Sequence, residues 1–220
     1  FSSFAYQKLG LDTTLVTKVA DSDRENLLPQ LNHAGVTISC FSSAETLQFE
    51  NIYSSSDPNL RLQNISVFAD PLTTDDLVDV IADVFHLGPL AAGDIESALF
   101  EGLATRGAVA LDVQGLLRLR QPGQVVLQMT DTIRKLAQHV RILKADAEEA
   151  QLLTGCNSIQ DALTELKSWG PSEILITDGS QGSSIRTPEG CWQIPAYHPT
   201  DTVNPTGCGD TYLALSLIHI

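Results

Sequence analysis

Apolar and polar positions along this chain follow two different periods, and the places where the period changes mark its elements. Phe1, Phe4, Ala5 and Leu9 recur at helical spacing and stop at Gly10, which predicts a helix at the start. A first strand is expected over 13–19, then a helical stretch over 23–33 that Pro29 bends and Gly35 closes. The period then falls to two. Residues 46–53 alternate apolar and polar, residues 62–68 do so approximately, and the turn-forming residues 54–59 lie between them. This pattern predicts a half-exposed antiparallel hairpin standing apart from the core.

From residue 73 onward strand and helix patterns alternate. Strands are expected over 83–87, 108–113, 140–143 and 173–177, and helices over 74–81, 94–104, 130–139, 146–153 and 158–169. Short apolar strands separated by amphipathic helices imply a mainly parallel sheet covered on both faces, so the expected fold class is α/β. Residues 183–187 and 191–197 predict a second hairpin turning at 188–190, and the chain closes on an apolar helix over 211–220. That helix carries Leu213, Leu215 and Leu217, which are expected to need a partner surface. Its run stops without a cap, and Phe1 already lies inside an element, so truncation at both ends is expected.

Composition narrows the function. A chain of 220 residues with 43% hydrophobic and 18% charged residues can bury a sizeable core, and no apolar run approaches the ~20 residues that span a bilayer. Thirteen basic against 27 acidic residues leave a net charge of −14, a field that repels nucleic acid and anionic membrane, so neither is an expected partner. Cys40, Cys156, Cys191 and Cys208 form no metal-type pair and read as reduced thiols of the cytoplasm. His33, His86, His139, His198 and His219 show no metal spacing and are assigned to structure.

The chemistry concentrates in Asn204-Pro-Thr-Gly-Cys-Gly-Asp210, a glycine-containing loop that runs straight into the last helix. Gly207 and Gly209 let backbone N–H groups converge at a helix N-terminus, which makes an anion cradle. Neither a P-loop nor a dinucleotide fingerprint fits it. Asp210 either complements the helix dipole or moves a proton, since a carboxylate in an anion cradle otherwise opposes the ligand. Upstream, read from the residues alone, Thr177, Gly179 and Gly182 fit an ordinary turn after a strand, Glu149 a solvated helix-face acid, Asp146 a helix cap, and Arg118 and Arg120 surface arginines.

In order along the chain, these stretches resemble the ribokinase/PfkB carbohydrate kinase family. The loop ending at Asp210 is similar to its D-T-x-G-A-G-D signature, with departures at 204, 205 and 208. Val140 to Gly155 resembles the stretch bearing its N-x-x-E motif, with Asp146 at the Asn position and Glu149 at the Glu. Ile174-Leu-Ile-Thr-Asp-Gly-Ser-Gln-Gly182 resembles its T-x-G-x-x-G loop, and Leu111-Asp-Val-Gln-Gly-Leu-Leu-Arg118 and His86-Leu-Gly-Pro89 are similar to other stretches of its members.

The resemblance implies a three-layer α/β/α core with a mainly parallel sheet, formed by 1–40 and 70–220, plus a small β lid over 41–69. It further implies phosphorylation of a sugar hydroxyl with ATP and Mg²⁺ as cofactors. Asp210 would be the general base and the amides of Gly207, Cys208 and Gly209 would steady the phosphoryl group in flight. Thr177, Gly179, Gly182 and Asp146 would line the nucleotide, Glu149 would act through Mg²⁺-bound water, and Asp112, Arg118 and Arg120 would face the phosphate-transfer cleft unless the arginines are surface groups. The implied partners are a small-molecule sugar and a second copy of the chain paired through the lid. A nucleoside kinase of the same fold is one alternative. Another is a protein of this fold that binds sugar or nucleotide without catalysis, although such a protein needs no base at 210.

Overall fold

A computed structural model of the chain describes residues 1–53, 61–197, 200 and 206–218. The turn expected over 54–59, Asn204 and Pro205 of the glycine loop, His198 and His219 lie outside those residues. Element order begins with α1 (Ser2–Lys8), β1 (Thr14–Val19), α2 (Arg24–Leu27), α3 (Pro29–His33), β2 (Thr37–Ser42), β3 (Gln48–Tyr53) and β4 (Arg61–Val67). It continues with β5 (Val84–Leu87), α4 (Ser97–Ala104), β6 (Ala108–Asp112), α5 (Gln114–Leu117), β7 (Gly123–Gln124) and α6 (Asp131–Ala137). Last come β8 (Ile142–Asp146), α7 (Ala147–Thr154), α8 (Ile159–Ser168), β9 (Glu173–Thr177), β10 (Ser183–Thr187), β11 (Gly190–Ile194) and α9 (Cys208–Leu217). The chain divides into two compact units, one of Phe1–Asp79, Arg120–Val126 and Asn204–Ile220, the other of Val80–Leu119 and Leu127–Val203.

In the first unit β1 and β2 pair in parallel, from Thr14 opposite Thr37 to Val19 opposite Ser42. Strand β2 is not evident from the sequence pattern, because its residues are only half-buried and its pairing partner lies upstream across two short helices. The expected hairpin is present as β3 and β4, with Phe49 opposite Ile65, and the two-residue β7 adds an unexpected third strand against β4. The helix expected over 74–81 is absent and only a 3-10 turn, Asp75–Leu77, forms. The Asp76 carboxylate turns back to accept from the Thr73 N–H and hydroxyl and pairs with Lys18 at 2.7 Å, which competes with helical bonding. Val78 and Ile81 are exposed, so no apolar face exists to drive a helix there. Helix α9 starts at Cys208 rather than 211 and packs against α1. Leu213, expected to need a partner surface, is fully buried, whereas Leu215 remains exposed.

The second unit is built on one six-stranded sheet of order β11-β10-β9-β8-β6-β5. Strands β5, β6, β8 and β9 are parallel, and β10 and β11 run antiparallel as the expected hairpin. Leu111, Leu143, Ile174 and Leu175 are fully buried, and consecutive residues along β6, β8 and β9 are buried alike, as a sheet covered on both faces requires. Strand β8 begins two residues later than expected, because the Val140 N–H is taken by the Ala137 carbonyl at the end of α6. Helix α4 begins at Ser97 rather than 94, since the Asp94 carboxylate accepts the Leu90 and Ala91 N–H groups and closes a turn instead.

The loop after β5 and the single-turn α5 are locked together. The Ala92 N–H donates to the Arg118 carbonyl, and a Cβ placed on Gly115 would stand 2.0 Å from the Pro89 carbonyl oxygen. Gly102, in contrast, is exposed in α4 and has nothing within 4 Å of its Cβ position. The same substitution therefore has opposite expected signs. Gly115→Ala should lower the unfolding free energy by about 2 kcal/mol or more, while Gly102→Ala should raise it by about 0.5–1 kcal/mol, both read from urea denaturation midpoints. A Gly115→Ala protein as stable as wild type would contradict this close approach.

Candidate active site

In the first unit the site is the start of α9. Gly207 is its N-cap at φ +82°, in the left-handed region where only glycine is comfortable, and its carbonyl accepts the Thr211 N–H at 2.9 Å. A Cβ at Gly207 would come within 2.3–2.6 Å of three ring atoms of Phe1, so glycine is required twice over. The Ser2 hydroxyl donates to the Asp210 carbonyl at 3.1 Å, tying α1 to the first turn of α9. Cys208 is exposed and Gly209 and Asp210 are half-buried in that turn, where the first amide N–H groups of a helix have no carbonyl within the helix. The structure thus gathers Gly207, Cys208, Gly209 and Asp210 at one helix N-terminus, with a carboxylate beside converging amides.

In the second unit the candidates cluster at the carboxyl ends of the strands. Asp146 ends β8 and caps α7: its Oδ1 accepts the Glu149 N–H at 2.8 Å, and Glu149 Oε2 accepts the Asp146 N–H at 2.7 Å. Glu149 is only 5% exposed, so it is not a solvated helix-face acid. Thr177 lies opposite Asp146 in the β8–β9 register. The loop that follows is closed by the Asp178 N–H to the Gly182 carbonyl and the Gln181 N–H to the Asp178 carbonyl, both at 2.8 Å. Gly179 and Gly182 have φ of +48° and +99°, and a Cβ on Gly182 would meet the Ile194 carbonyl oxygen of β11 at 2.1 Å. A cavity of about 280 Å³ opens near α7 and α8, lined by Gln151, Asn157, Ser158 and Asp178 among others, none of them a candidate.

Beside these residues runs a polar row, buried at Asp112 and Lys144 and half-buried at His86, Asp146 and Thr177, that the sequence pattern did not reveal as a group. Parallel register and alternation place His86, Asp112, Lys144, Asp146 and Thr177 on one face of the sheet. Lys144 Nζ meets Asp112 Oδ2 at 2.9 Å with both side chains 4% exposed, and Asp112 Oδ1 also accepts the Gln114 N–H. Burial pushes His86 down to about 4, so the ring is neutral at pH 7. Burial alone would lower Lys144, but Asp112, Glu149 and Asp146 outweigh it and raise the ammonium above the usual lysine range. Glu149 is raised to about 7, first by burial and then by Asp146. Arg118 is buried and donates to the Leu90 carbonyl, so it is not the surface arginine that one of its two readings expects. Arg120 stacks over Phe68 at 4.8 Å. A lysine inside the apolar run Ile142-Leu-Lys-Ala145 was the available signal for the row, since buried lysines need partners.

With this geometry in view, comparison with known proteins is specific. The profile of the pfkB family carbohydrate kinases matches residues 2–219. A cytidine kinase of Thermococcus kodakarensis is 24% identical over 217 residues, covering 96% of this chain and 73% of that protein. A sulfate complex of a pyrophosphate-dependent kinase of the ribokinase family superposes with a TM-score of 0.90 at 26% identity, over 99% of this chain and 76% of the other. A pyrophosphate-dependent kinase of that family with a pyrophosphate analogue and myo-inositol gives 0.89 at 25%, with the same coverage. The expected α/β fold with a mainly parallel sheet is therefore the ribokinase-like fold.

The Glu149 environment has a pH signature. The unfolded chain ionises this acid near 4.5 and the folded chain near 7, so the fold favours the protonated form. Its contribution to stability is complete below pH 4.5, declines as pH rises, and is lost above about 7. Glu149→Gln keeps the capping box and cannot ionise. Relative to wild type, the ligand-free variant should gain roughly 1–3 kcal/mol at pH 8 and almost nothing at pH 4, by denaturant unfolding at both pH values. A difference independent of pH would show that Glu149 is not held in this way.

Proposed function

The chain belongs to the pfkB family of carbohydrate kinases, and we propose that it transfers the terminal phosphoryl group of a donor, ATP in the first reading, to a hydroxyl of a sugar-type acceptor with Asp210 as general base. The observation that carries this proposal is the carboxylate of Asp210 in the first turn of α9, next to the amides that follow a left-handed Gly207. A site that only bound anions would be weakened by that charge, whereas a base must sit there to meet the attacking hydroxyl.

In this reading the acceptor hydroxyl gives its proton to the Asp210 carboxylate as its oxygen attacks the terminal phosphorus. The bond from phosphorus to the bridging oxygen breaks, and the shortened donor leaves with the electron pair. Amides of Gly207, Cys208 and Gly209 stabilise negative charge on the phosphoryl oxygens in flight. Thr177, Gly179, Gly182 and Asp146 hold the donor. Asp146 and Glu149 would hold a donor-bound Mg²⁺, which favours one or two carboxylates plus phosphate and water oxygens, and the adjacent pair fits that demand. When bound, Mg²⁺ neutralises phosphate charge. The hairpin β3–β4 serves as a lid over the acceptor and as a surface for a second copy.

A second donor reading has its own support. The two pyrophosphate-dependent kinases superpose on this chain over 99% of its length, so inorganic pyrophosphate joins ATP as a donor to be tested. On the acceptor side, the cytidine kinase favours nucleosides and the myo-inositol complex favours cyclic polyols.

The test uses the enzyme with ATP or pyrophosphate against sugars, myo-inositol and cytidine. One donor and one acceptor class should support turnover, and Asp210→Asn should lower kcat about 10²–10⁴-fold with donor KM nearly unchanged. Wild-type turnover by Asp210→Asn would remove this carboxylate from the mechanism.

A further inference from the structure

The turn that carries Asp210 is built from pliable residues. Two of its four, Gly207 and Gly209, are glycines, which leave a backbone freer than any other residue does. Gly207, as the N-cap of α9, has no side chain with which to hold the first amides, so any brace on the turn has to come from another element. Helix α1 supplies it. Its N-cap residue Phe1 brings three ring atoms to 2.3–2.6 Å from where a Cβ on Gly207 would stand, and Ser2 donates its hydroxyl to the Asp210 carbonyl at 3.1 Å. In a helix this carbonyl accepts from the amide four residues on, and Ser2 takes its second lone pair. Two consecutive residues therefore meet the two ends of one turn, although 208 positions of chain separate Ser2 from Asp210.

A neutral, half-buried hydrogen bond of this kind adds little to stability, and its importance lies in where it ends. Because the carboxylate has to meet the acceptor hydroxyl at hydrogen-bond distance as the phosphoryl group moves, a shift of about 1 Å in its mount can cost roughly 10²-fold in rate. We propose that Ser2 is a positioning residue for the phosphoryl-transfer step: its hydroxyl, with the Phe1 ring at the other end of the turn, fixes the aim of the Asp210 carboxylate. The proposal rests on the reading in which Asp210 is the general base. Ser2 acts through the Asp210 main chain and needs no contact with either substrate. Since the aim of a base matters in the transition state and not in the bound ground state, the effect falls on kcat and leaves binding alone.

The measurement is steady-state kinetics on the complete enzyme, using whichever of ATP and pyrophosphate, and of sugars, myo-inositol and cytidine, supports turnover. Ser2→Ala should lower kcat about tenfold with donor and acceptor KM within about twofold of wild type, and Ser2→Thr, which keeps the hydroxyl, should stay within about twofold in kcat. The decisive variant carries Ser2→Ala on top of Asp210→Asn. With the carboxylate gone there is nothing left to aim, so the second substitution should not lower kcat further. An added fall of about tenfold in that background, or a Ser2→Ala loss shared equally between kcat and the two KM values, would show a merely structural role and overturn the proposal. So would unchanged turnover in Ser2→Ala, or a Ser2→Thr protein as slow as Ser2→Ala. Should Ser2→Ala fail to fold, Phe1→Leu loosens the other end of the turn and must show the same loss in kcat, absent again in the Asp210→Asn background. Impaired Asp210→Asn beside a normal Ser2→Ala overturns this proposal and leaves the base in place; wild-type turnover by Asp210→Asn overturns both.

Discussion

Parallel strands must all deliver their carboxyl ends to the same edge of a sheet, and this constraint organises the second unit. Residues 87, 112, 146 and 177 are far apart in the chain, yet β5, β6, β8 and β9 end at them side by side. Strands β6, β8 and β9 are buried along most of their length, so a polar group inside them needs a partner, which loops and helix starts supply near the edge. Asp146, Glu149, Thr177 and the loop through Gly182 are functional candidates because the sheet brings them to that edge. The Asp112–Lys144 pair shows how strictly the rule holds: two charges inside the sheet survive only by meeting each other.

The chain's net charge and its chemistry point in different directions, and the structure reconciles them. A charge of −14 argues against long polyanions, whose binding depends on many basic contacts. A small phosphate needs far less. The backbone amides at the start of α9 are a local source of positive potential that a count of residues does not register. Arg118 and Arg120, which looked available for such work, are occupied in holding loops.

How much was legible follows from how local each cause is. Elements set by their own residues were readable: Pro29 bending a helix, Asp146 capping α7, the alternating hairpin, and the apolar strands β6 and β9. Elements set by a distant partner were not. Strand β2 exists because β1 lies beside it, and β7 because β4 offers an edge. The helix expected over 74–81 was lost to a bond between Asp76 and Lys18, more than fifty residues upstream. In the site, the helix start at Gly207 was legible from the glycines and the apolar run after them, whereas spacing alone favoured Asp210 as a complement to the helix dipole and its role as a base came from the family resemblance. The burial of Glu149 was not, because a helix of eight residues shows which face is apolar but not how deep its first turn lies. Lys144 was hidden for the opposite reason: its meaning resides wholly in Asp112, on another strand.

The tight fit at Gly182 carries a lesson for how variation in this chain would look. With a carbonyl oxygen 2.1 Å from where a side chain would begin, and a backbone angle that disfavours anything but glycine, every replacement there distorts the β9–β11 edge before any ligand arrives. Selection for folding alone would therefore hold this position invariant, even in a descendant that had abandoned catalysis. Gly179 has open space at its Cβ position and a φ of only +48°, within reach of asparagine or aspartate. Among diverged copies of this chain, drift at 179 would reveal relaxed demand from a ligand, whereas constancy at 182 would record only the persistence of the sheet.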